Sequence, residues 1–207
     1  MPFEFLKKKP AAEPSPSSQP PPASAIPVVT AKGITFDGLT EEWRLVGAMQ
    51  LEGRLSDALN KRESIPITDV SWAPIDGSEP FSPAPGLKAI DPYDLIVVLA
   101  GETTLPPMSD EEKAAHRIHK ISYDLALEVP PFKVVGTVYL FPGSEPERLL
   151  DRGTEMFVPV TDAVAYLGDE RIPGTEVDTF LVNRRYLRRV EQVDRRTRDM
   201  LERRSGA

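Results

Sequence analysis

The sequence predicts a mainly β, α+β fold in which one strand–short helix–strand–strand unit occurs twice. The first observation behind this is the motif Ile65-Pro66-Ile67-Thr68-Asp69-Val70, which recurs as Val158-Pro159-Val160-Thr161-Asp162-Ala163. The second is that a short helical pattern precedes each motif and an apolar strand pattern follows it. Because three or four strands bury little surface by themselves, we expect the copies to pack as one pseudo-twofold sheet or barrel-like body.

The first copy spans residues 33–100. Its strands are predicted over residues 34–36, 41–51, 64–72 and 93–99. Gly47 inside the second strand indicates a β-bulge or a close backbone approach, and Asp37-Gly38 indicates a turn. Apolar residues at i, i+3 and i+4 predict a short helix over residues 54–60. The proline-rich stretch 74–92 is longer than a compact domain needs, which favours a functional or mobile loop.

The second copy spans residues 132–190 and repeats the order. Its elements are strands over residues 133–141, 156–167 and 178–182 and a short helix over residues 146–152. We match residues 95–98 of the first copy with residues 180–183 of the second. The proline of each motif suits an edge or a bulge, because it has no N–H to donate.

Two further segments flank the second copy. A connector, residues 101–131, holds a helix that starts at the capping box Ser109-Asp110-Glu111-Glu112 and a half-buried antiparallel strand from Ile121. Residues 186–204 carry acidic and basic side chains spaced i, i+4, which predicts a helix, with a basic C-terminal helix over residues 191–207.

The helix Arg54-Leu55-Ser56-Asp57-Ala58-Leu59-Asn60 and the Thr68-Asp69 strand together resemble a small bacterial β-rich domain family of uncharacterised function. In that family the helix has the pattern Arg-Leu-Ser-Asp-x-Leu-Asn and a Thr-Asp strand follows it. The second copy keeps Val160-Thr161-Asp162-Ala163 but has Glu-Arg-Leu-Leu-Asp in its helix. The resemblance implies two tandem copies of one domain, and it brings no activity and no catalytic residue.

The amino-acid composition excludes several classes of function. A chain of 207 residues with 40% hydrophobic and 28% charged residues fits a globular protein with a real core. It has no cysteine, which excludes disulfides, thiolate metal sites and a cysteine nucleophile. No apolar run is long enough to span a membrane, and the start of the chain lacks a secretory signal pattern. We therefore expect a cytoplasmic protein.

The N-terminal region, residues 1–32, is rich in Pro, Ala and Ser, so we expect it to be disordered with polyproline character. Phe3, Phe5 and Leu6 stand before Lys7-Lys8-Lys9. This short apolar and basic cluster predicts a docking peptide for a partner protein, or for peripheral contact with an anionic membrane.

Three sets of side chains are candidates for chemistry or binding. Asp69 and Asp162, if pseudo-symmetry brought them together, could bind a metal or act as acid and base, but we favour a role in fixing turns. His116 and His119 mark an exposed junction rather than a metal site. The net charge of −7 hides a basic C-terminus, where Arg184, Arg185, Arg188 and Arg189 are candidate anion ligands.

These observations predict a non-enzymatic scaffold or adaptor with an N-terminal docking peptide, a protein partner and no cofactor. One alternative is a nucleic-acid-associated regulator that uses the arginine-rich C-terminus, although the acidic remainder of the chain argues against it. Another is a small-ligand or metal-binding protein with Asp69 and Asp162 at the interface of the copies. An apolar stripe in the predicted C-terminal helix also suggests a homo-oligomer.

Overall fold

The computed structural model describes residues 33–51, 53–101, 104, 120–151, 153, 155–175 and 177–194. Several sequence predictions lie outside these residues. They are the docking peptide at Phe3, Phe5 and Leu6, the capping-box helix, both histidines, and residues 195–207 of the predicted C-terminal helix. We call residues 33–101 the first half and residues 120–194 the second half.

Twelve antiparallel strands form one sheet, which confirms the predicted mainly β class. The strands are β1 Ile34–Leu39, β2 Trp43–Met49, β3 Ile65–Pro74, β4 Ser82–Pro83, β5 Ala89–Ile90, β6 Val97–Ala100, β7 Ile121–Val129, β8 Phe132–Leu140, β9 Phe157–Leu167, β10 Glu170–Arg171, β11 Thr179–Asn183 and β12 Arg189–Gln192. Their order in the sheet is β12-β7-β8-β9-β11-β6-β1-β2-β3-β4, with β10 beside β9 and β5 beside β3. Helix is sparse in the described residues: α1 spans Leu55–Asn60, and 3-10 turns span Pro92–Asp94 and Pro146–Leu150.

The central strands β6 and β11 belong to two cores at once. In β6, Val97 and Leu99 pack into the core of the second half, whereas Val98 and Ala100 pack into the core of the first half. In β11, Phe180 and Val182 face the second-half core and Leu181 faces the first-half core. Successive side chains of a strand point to opposite faces. The uninterrupted apolar runs of β6 and β11 therefore reflect burial on both faces.

A β-bulge interrupts the pairing of the long strands in each half. The register of β2 with β3 shifts opposite Gly47. Val46 pairs with Ser71 and Ala48 with Thr68, so the extra residue is in β3 and not in β2, where the sequence predicted the bulge. The register of β8 with β9 shifts between Val135 and Thr137, at Gly136. A Cβ atom on Gly47 would lie 3.0 Å from the carbonyl oxygen of Thr68, and one on Gly136 would lie 2.9 Å from that of Thr161. Glycine is needed at both bulges because the facing backbone comes so close.

The two motif aspartates lie within these bulges, opposite the glycines, in the left-handed backbone region, with φ values of 54° for Asp69 and 47° for Asp162. Asp tolerates this region better than most residues, because its short side chain can hydrogen-bond locally. Both side chains are exposed. The Thr-Asp motif thus lies where each strand turns out of regular pairing.

The predicted C-terminal helix is wrong where the structure describes it. Arg189–Gln192 is strand β12, which pairs with β7 from Arg189 opposite Glu128 to Gln192 opposite Leu125. Val190 packs against the second-half core. The i, i+4 charge pairs that suggested a helix all begin at or beyond Asp194, so they could not decide the conformation of residues 189–192. Pairing with β7 satisfies the backbone groups of that strand instead.

The structure corrects two further sequence predictions and adds two short strands to the predicted 74–92 loop. The Asp37-Gly38 turn is absent, since both residues lie inside β1. The 74–92 segment is fastened to β3 by β4 and β5, with Ala84 N–H donating to Val70 O at 2.7 Å and Ile67 N–H donating to Lys88 O at 3.0 Å. Residues 95–98 and 180–183 do not occupy equivalent places, because β6 pairs with β1, the first strand of its half, whereas β11 pairs with β9, the motif strand.

Candidate functional site: an arginine-lined cleft between the halves

Three arginines line a cleft where the end of α1 in the first half meets the start of β9 and the end of β11 in the second. The lining residues are Arg62, Gly153, Glu155, Met156, Arg184 and Arg185. The sequence prediction identified Arg184 and Arg185 and missed Arg62 and Glu155. Residues that are far apart in the chain form this cleft, so no local pattern could indicate it.

Arg62 adopts an unusual backbone conformation for its residue type. It follows Lys61, the C-cap of α1, and has a φ of 62°. Helices often end in a left-handed residue, but that residue is usually glycine, and a side chain there costs about 1 kcal/mol. The conformation directs the guanidinium towards the second half, where Nη2 donates to Gly153 O at 3.4 Å.

Arg184 caps the 3-10 turn Pro146–Leu150. Its Nε donates to Leu149 O at 2.9 Å, and its Nη2 donates to Arg148 O at 2.8 Å and to Asp151 O. Carbonyls at the end of a helical turn often lack partners within the turn, and the guanidinium supplies hydrogen bonds to Leu149 O and Asp151 O and a second one to Arg148 O, which also accepts from Asp151 N–H at 3.1 Å. Burial lowers the pKa of Arg184, while the charges of Glu155 and Asp151 raise it. These backbone carbonyls therefore hold the guanidinium of Arg184 at the wall of the cleft.

Arg185 bridges the two halves. Its guanidinium lies 4.8 Å from the centre of the Tyr93 ring, a cation–π contact. The neighbouring Tyr186 hydroxyl donates to Tyr93 O at 2.9 Å. Arg188 and Arg189 do not line the cleft. Arg188 precedes β12, and Arg189 lies within it and forms ion pairs with Glu191 and Glu128. Of the four predicted anion ligands, Arg184 and Arg185 therefore line the cleft, and Arg188 and Arg189 lie outside it.

The charge of the cleft suits a small anion. Three guanidinium groups face one carboxylate, that of Glu155, and guanidinium binds carboxylate or phosphate oxygens in a planar fork. Glu155 is the one general base among the six lining residues, and none of the six is a nucleophile. The arrangement can hold an anion, but its lining provides no nucleophile with a base beside it.

The structure does not bring Asp69 and Asp162 to neighbouring strands. Asp69 is on β3 and Asp162 is on β9, and β11, β6, β1 and β2 lie between them. At about 4.8 Å per strand, the two strands are about 24 Å apart along the sheet. In the part of the chain that the structure describes, no three His, Asp or Glu side chains are grouped to hold a metal ion. Nor does any described helix have the length and apolar character to cross a bilayer.

Exposed aromatic side chains form two surfaces that the sequence prediction missed. Trp43 and Trp72 stack on the first half, and the Trp72 side chain is 41% exposed. On the second half, Phe141 is 65% exposed and Tyr139 is 50% exposed, with Lys120 Nζ 5.2 Å from the centre of the Phe141 ring. Large exposed side chains of this kind are typical of surfaces that bind other chains.

No protein-family model matches this chain, and neither does any curated protein or any solved structure. Its function therefore has to be inferred from its own residues.

Proposed function

We propose that the protein is a non-enzymatic scaffold or adaptor that offers its surface to a partner protein. The exposed aromatic surface at the open end of the β7–β8 hairpin carries this proposal. Lys120, Tyr139 and Phe141 are on one face of the hairpin, because Tyr139 pairs with Ser122 and alternate residues share a face. Covering Tyr139 and Phe141 would remove a large apolar area from water, which is the main source of free energy in protein association.

The same face holds a buried apolar patch further along the hairpin. There Ala126 and Val135 are directly opposite each other and are buried with Val164 and Tyr166. Between this patch and the Phe141 surface, which we define as Lys120, Tyr139 and Phe141, the face carries Asp124 and Thr137, whose side chains hydrogen-bond to each other at 2.7 Å. A sheet fixes its side chains more firmly than a loop does, so a partner would find this surface already arranged.

Buried polar side chains support a rigid platform. Asn183, fully buried, donates through Nδ2 to Leu95 O at 2.7 Å and to Pro92 O at 3.3 Å. Arg44 is 6% exposed and donates to the carbonyls of Pro173 and Gly174 at 2.7 and 2.6 Å. Both side chains join the first half to the second, so these polar groups hold the two halves in one arrangement.

We also propose that the two halves are copies of one domain, the β-rich type that the helix and the Thr-Asp strand resemble. The matching bulges support this, and so do matching turns. Asp91 accepts from Tyr93 N–H at 2.9 Å, and Asn183 accepts from Arg185 N–H at 3.0 Å. The strand after each turn pairs with the first strand of its half, β6 with β1 and β12 with β7. The strand before each turn pairs with the long motif strand, β5 with β3 and β11 with β9. In this scheme β12 corresponds to β6, and β11 corresponds to β5.

The proposed adaptor acts in the cytoplasm, where a chain without cysteine suits the reducing environment. It has two contact regions, the N-terminal docking peptide with Phe3, Phe5 and Leu6, and the Phe141 surface. The peptide supplies a short anchor, and the sheet supplies a fixed surface. Two weak contacts on one chain can together bind far more tightly than either one alone.

Quantitative co-purification tests the adaptor proposal. Tyr139→Ser with Phe141→Ser should remove a defined set of co-purifying proteins, as should deletion of residues 1–9, without lowering the melting temperature. Leu150→Ser is the matched control, since Leu150 is also exposed but lies on the 3-10 turn before β9. If neither change alters the co-purifying set relative to Leu150→Ser, the adaptor proposal is wrong.

The arginine-lined cleft favours a second candidate, a protein that binds a small anion. Inorganic phosphate or pyrophosphate should then raise the melting temperature, because a ligand that binds the folded state stabilises it. Arg185→Met should abolish the shift, and Arg189→Met, outside the cleft, should leave it unchanged. A shift that persists in Arg185→Met, or no shift in the original protein, contradicts this candidate.

Two other ligands, nucleic acid and a metal ion, can be tested by comparable binding measurements. A nucleic-acid-associated regulator should show a mobility shift that weakens steeply with salt and disappears after truncation at Asn183. A metal-binding protein should show a melting shift with divalent cations that Asp69→Asn and Asp162→Asn remove together. Arg189 forms ion pairs with Glu128 and Glu191, which partly neutralise the basic surface that the nucleic-acid alternative requires.

A further inference from the structure

The only two tryptophans of the chain form one stacked pair at the end of the first-half core. The ring centres of Trp43 and Trp72 are 4.9 Å apart, and the rings are inclined by 23°. Trp43 packs against the first-half core, and Trp72 pairs across the sheet with buried Leu45. Trp72 remains 41% exposed, so part of a large flat ring faces water.

One proline shares the sheet face of this pair. Pro74 is opposite Trp43 in the sheet and Ser82 is opposite Trp72, whereas Pro83 is opposite Ser71 and therefore on the other face. An exposed indole next to a proline ring forms the kind of shallow apolar groove in which a polyproline helix docks, since proline rings pack against aromatic faces. A polyproline helix also loses little conformational entropy on binding.

An acidic rim borders the tryptophan pair. Glu41 and Glu42 are exposed in the turn that leads into Trp43, and Asp76 and Glu79 are exposed after Pro74. The Ile75 N–H donates to Glu42 O at 3.0 Å, which joins the two acidic segments. An occupant that combines proline with a basic cluster would match both the groove and its rim.

We propose that the groove at Trp43 and Trp72 binds the chain's own residues 7–22, which begin with Lys7-Lys8-Lys9 and continue with repeated prolines. This segment supplies both features, and the chain is long enough. The described chain starts beside Ile34, which is level with Met49 at the far end of β2 from Trp43. That distance along β2 is about 20 Å. The ten residues between Pro22 and Gly33 can extend over about 30 Å.

Tethering favours this contact over binding in trans. A segment joined to its site by a short flexible linker has an effective concentration in the millimolar range, so even a weak groove is occupied. The residues that dock here are next to the proposed docking peptide. Occupancy of the groove would hold that peptide against the body, and the inference does not depend on whether the peptide has a partner.

Tryptophan fluorescence tests the proposal in the full-length chain, because the pair supplies all the tryptophan signal. The test variant replaces six prolines by alanine: Pro10, Pro14, Pro16, Pro20, Pro21 and Pro22. Loss of the proline cover should raise the acrylamide quenching constant about twofold and shift the emission to longer wavelength. Ser17→Ala with Ser18→Ala keeps the prolines and should match the original protein.

A second variant tests the charge match, and a peptide tests the site in trans. Lys7→Glu, Lys8→Glu and Lys9→Glu together should raise quenching as proline loss does. A free peptide of residues 7–22, added to the proline-free variant, should lower quenching again. Equal quenching in all chains, with no effect of the peptide, overturns the proposal. So does protection that disappears on dilution of the original protein, since the occupant would then be the tail of a second copy.

Discussion

The side-chain amide of Asn60 binds the backbone of Phe157 at both of its polar atoms. Oδ1 accepts from Phe157 N–H at 2.8 Å, and Nδ2 donates to Phe157 O at 3.5 Å. Oδ1 also accepts from Met156 N–H at 2.7 Å. The last residue of α1 in the first half thus acts on the start of β9 in the second half as a neighbouring strand would. Where the two halves meet, the Asn60 side chain thus makes the hydrogen bonds that a neighbouring strand's backbone would otherwise make.

Replacing this amide should destabilise the fold. Asn60→Ala leaves two backbone donors without their acceptor, and we expect a loss of about 2 kcal/mol in the free energy of unfolding. Asn60→Asp keeps the acceptor and should lose less. Urea denaturation measures both, with Ser56→Ala on the same helix as the control. A loss in Asn60→Ala no larger than in Ser56→Ala would show that the contact does not matter.

Arg44 should be among the most sensitive positions of the chain. It is bonded to both carboxylate oxygens of Asp37, at 3.0 and 2.7 Å, and to the carbonyls of Pro173 and Gly174. Arg44→Met leaves a carboxylate that is only 14% exposed without its partner, and we expect a loss of about 3 to 5 kcal/mol. Arg44→Lys cannot reproduce the planar fork and should recover only part of it.

An exposed arginine provides the comparison for Arg44. Arg189 is 61% exposed and forms ion pairs with Glu128 and Glu191, so Arg189→Met should change the stability by less than about 1 kcal/mol. Chemical denaturation of both variants under the same conditions decides the matter. Similar losses at the two positions would contradict the idea that Arg44 fastens the 173–174 turn to β2.

The two bulge glycines should differ in their tolerance of alanine. A Cβ on Gly136 would lie 2.6 Å from Val160 Cγ1, and that valine is fully buried. Gly136→Ala should therefore cost about 2 to 3 kcal/mol, and Gly47→Ala, whose nearest contact is 3.0 Å, about 1 kcal/mol. Gly86→Ala meets nothing within 4 Å and should be neutral. The reverse order in thermal or urea unfolding would refute the packing argument.

Tyr186 should make the stability fall in alkaline solution. Burial, the first cause, and the charges of Asp94 and Glu41 raise the pKa of Tyr186, while Arg185 lowers it. The folded state therefore prefers the neutral phenol. Its contribution is complete below the pKa of the unfolded tyrosine, about 10, and is lost as the pH rises through the higher folded pKa. Urea denaturation from pH ~8 to ~11 should show this fall in the original protein and a smaller one in Tyr186→Phe. An equal fall in both would mean that other groups cause it.

Local pattern was sufficient for most strands. Local patterns located β2, β3, β7, β8, β9 and β11 closely. Alternation marked β7, and short apolar runs bounded by turn residues marked strands such as β11 that are buried on both faces. Gly47 correctly marked a close backbone approach, which leaves no room for a side chain, although the extra residue of the bulge is in β3. The i, i+4 spacing of charged residues gave a wrong helix prediction for residues 186–193. There the local signal was weak, and pairing with the free edge of β7 decided the conformation.

The candidate sites were harder to predict than the strands. Arg184 and Arg185 were recognised as cations, but their roles depend on Leu149, Asp151 and Tyr93, which are 30 or more residues away in the chain. Within their own strands, Trp43 and Trp72 each look like an ordinary strand residue. Only the pairing of β2 with β3 stacks them into one surface, and no periodicity within either strand reports on that contact.

By itself, the sequence determined the mainly β class, the positions of most strands and the recurrence of the Thr-Asp motif, because these depend on hydrophobic period and on backbone preferences within a few residues. Only the tertiary structure decided that β6 and β11 are shared by two cores, that four strands lie between those of Asp69 and Asp162, and that three arginines meet in one cleft. Those features depend on which strands become neighbours. That choice minimises exposed apolar surface and unpaired backbone over the whole chain, so no single segment encodes it.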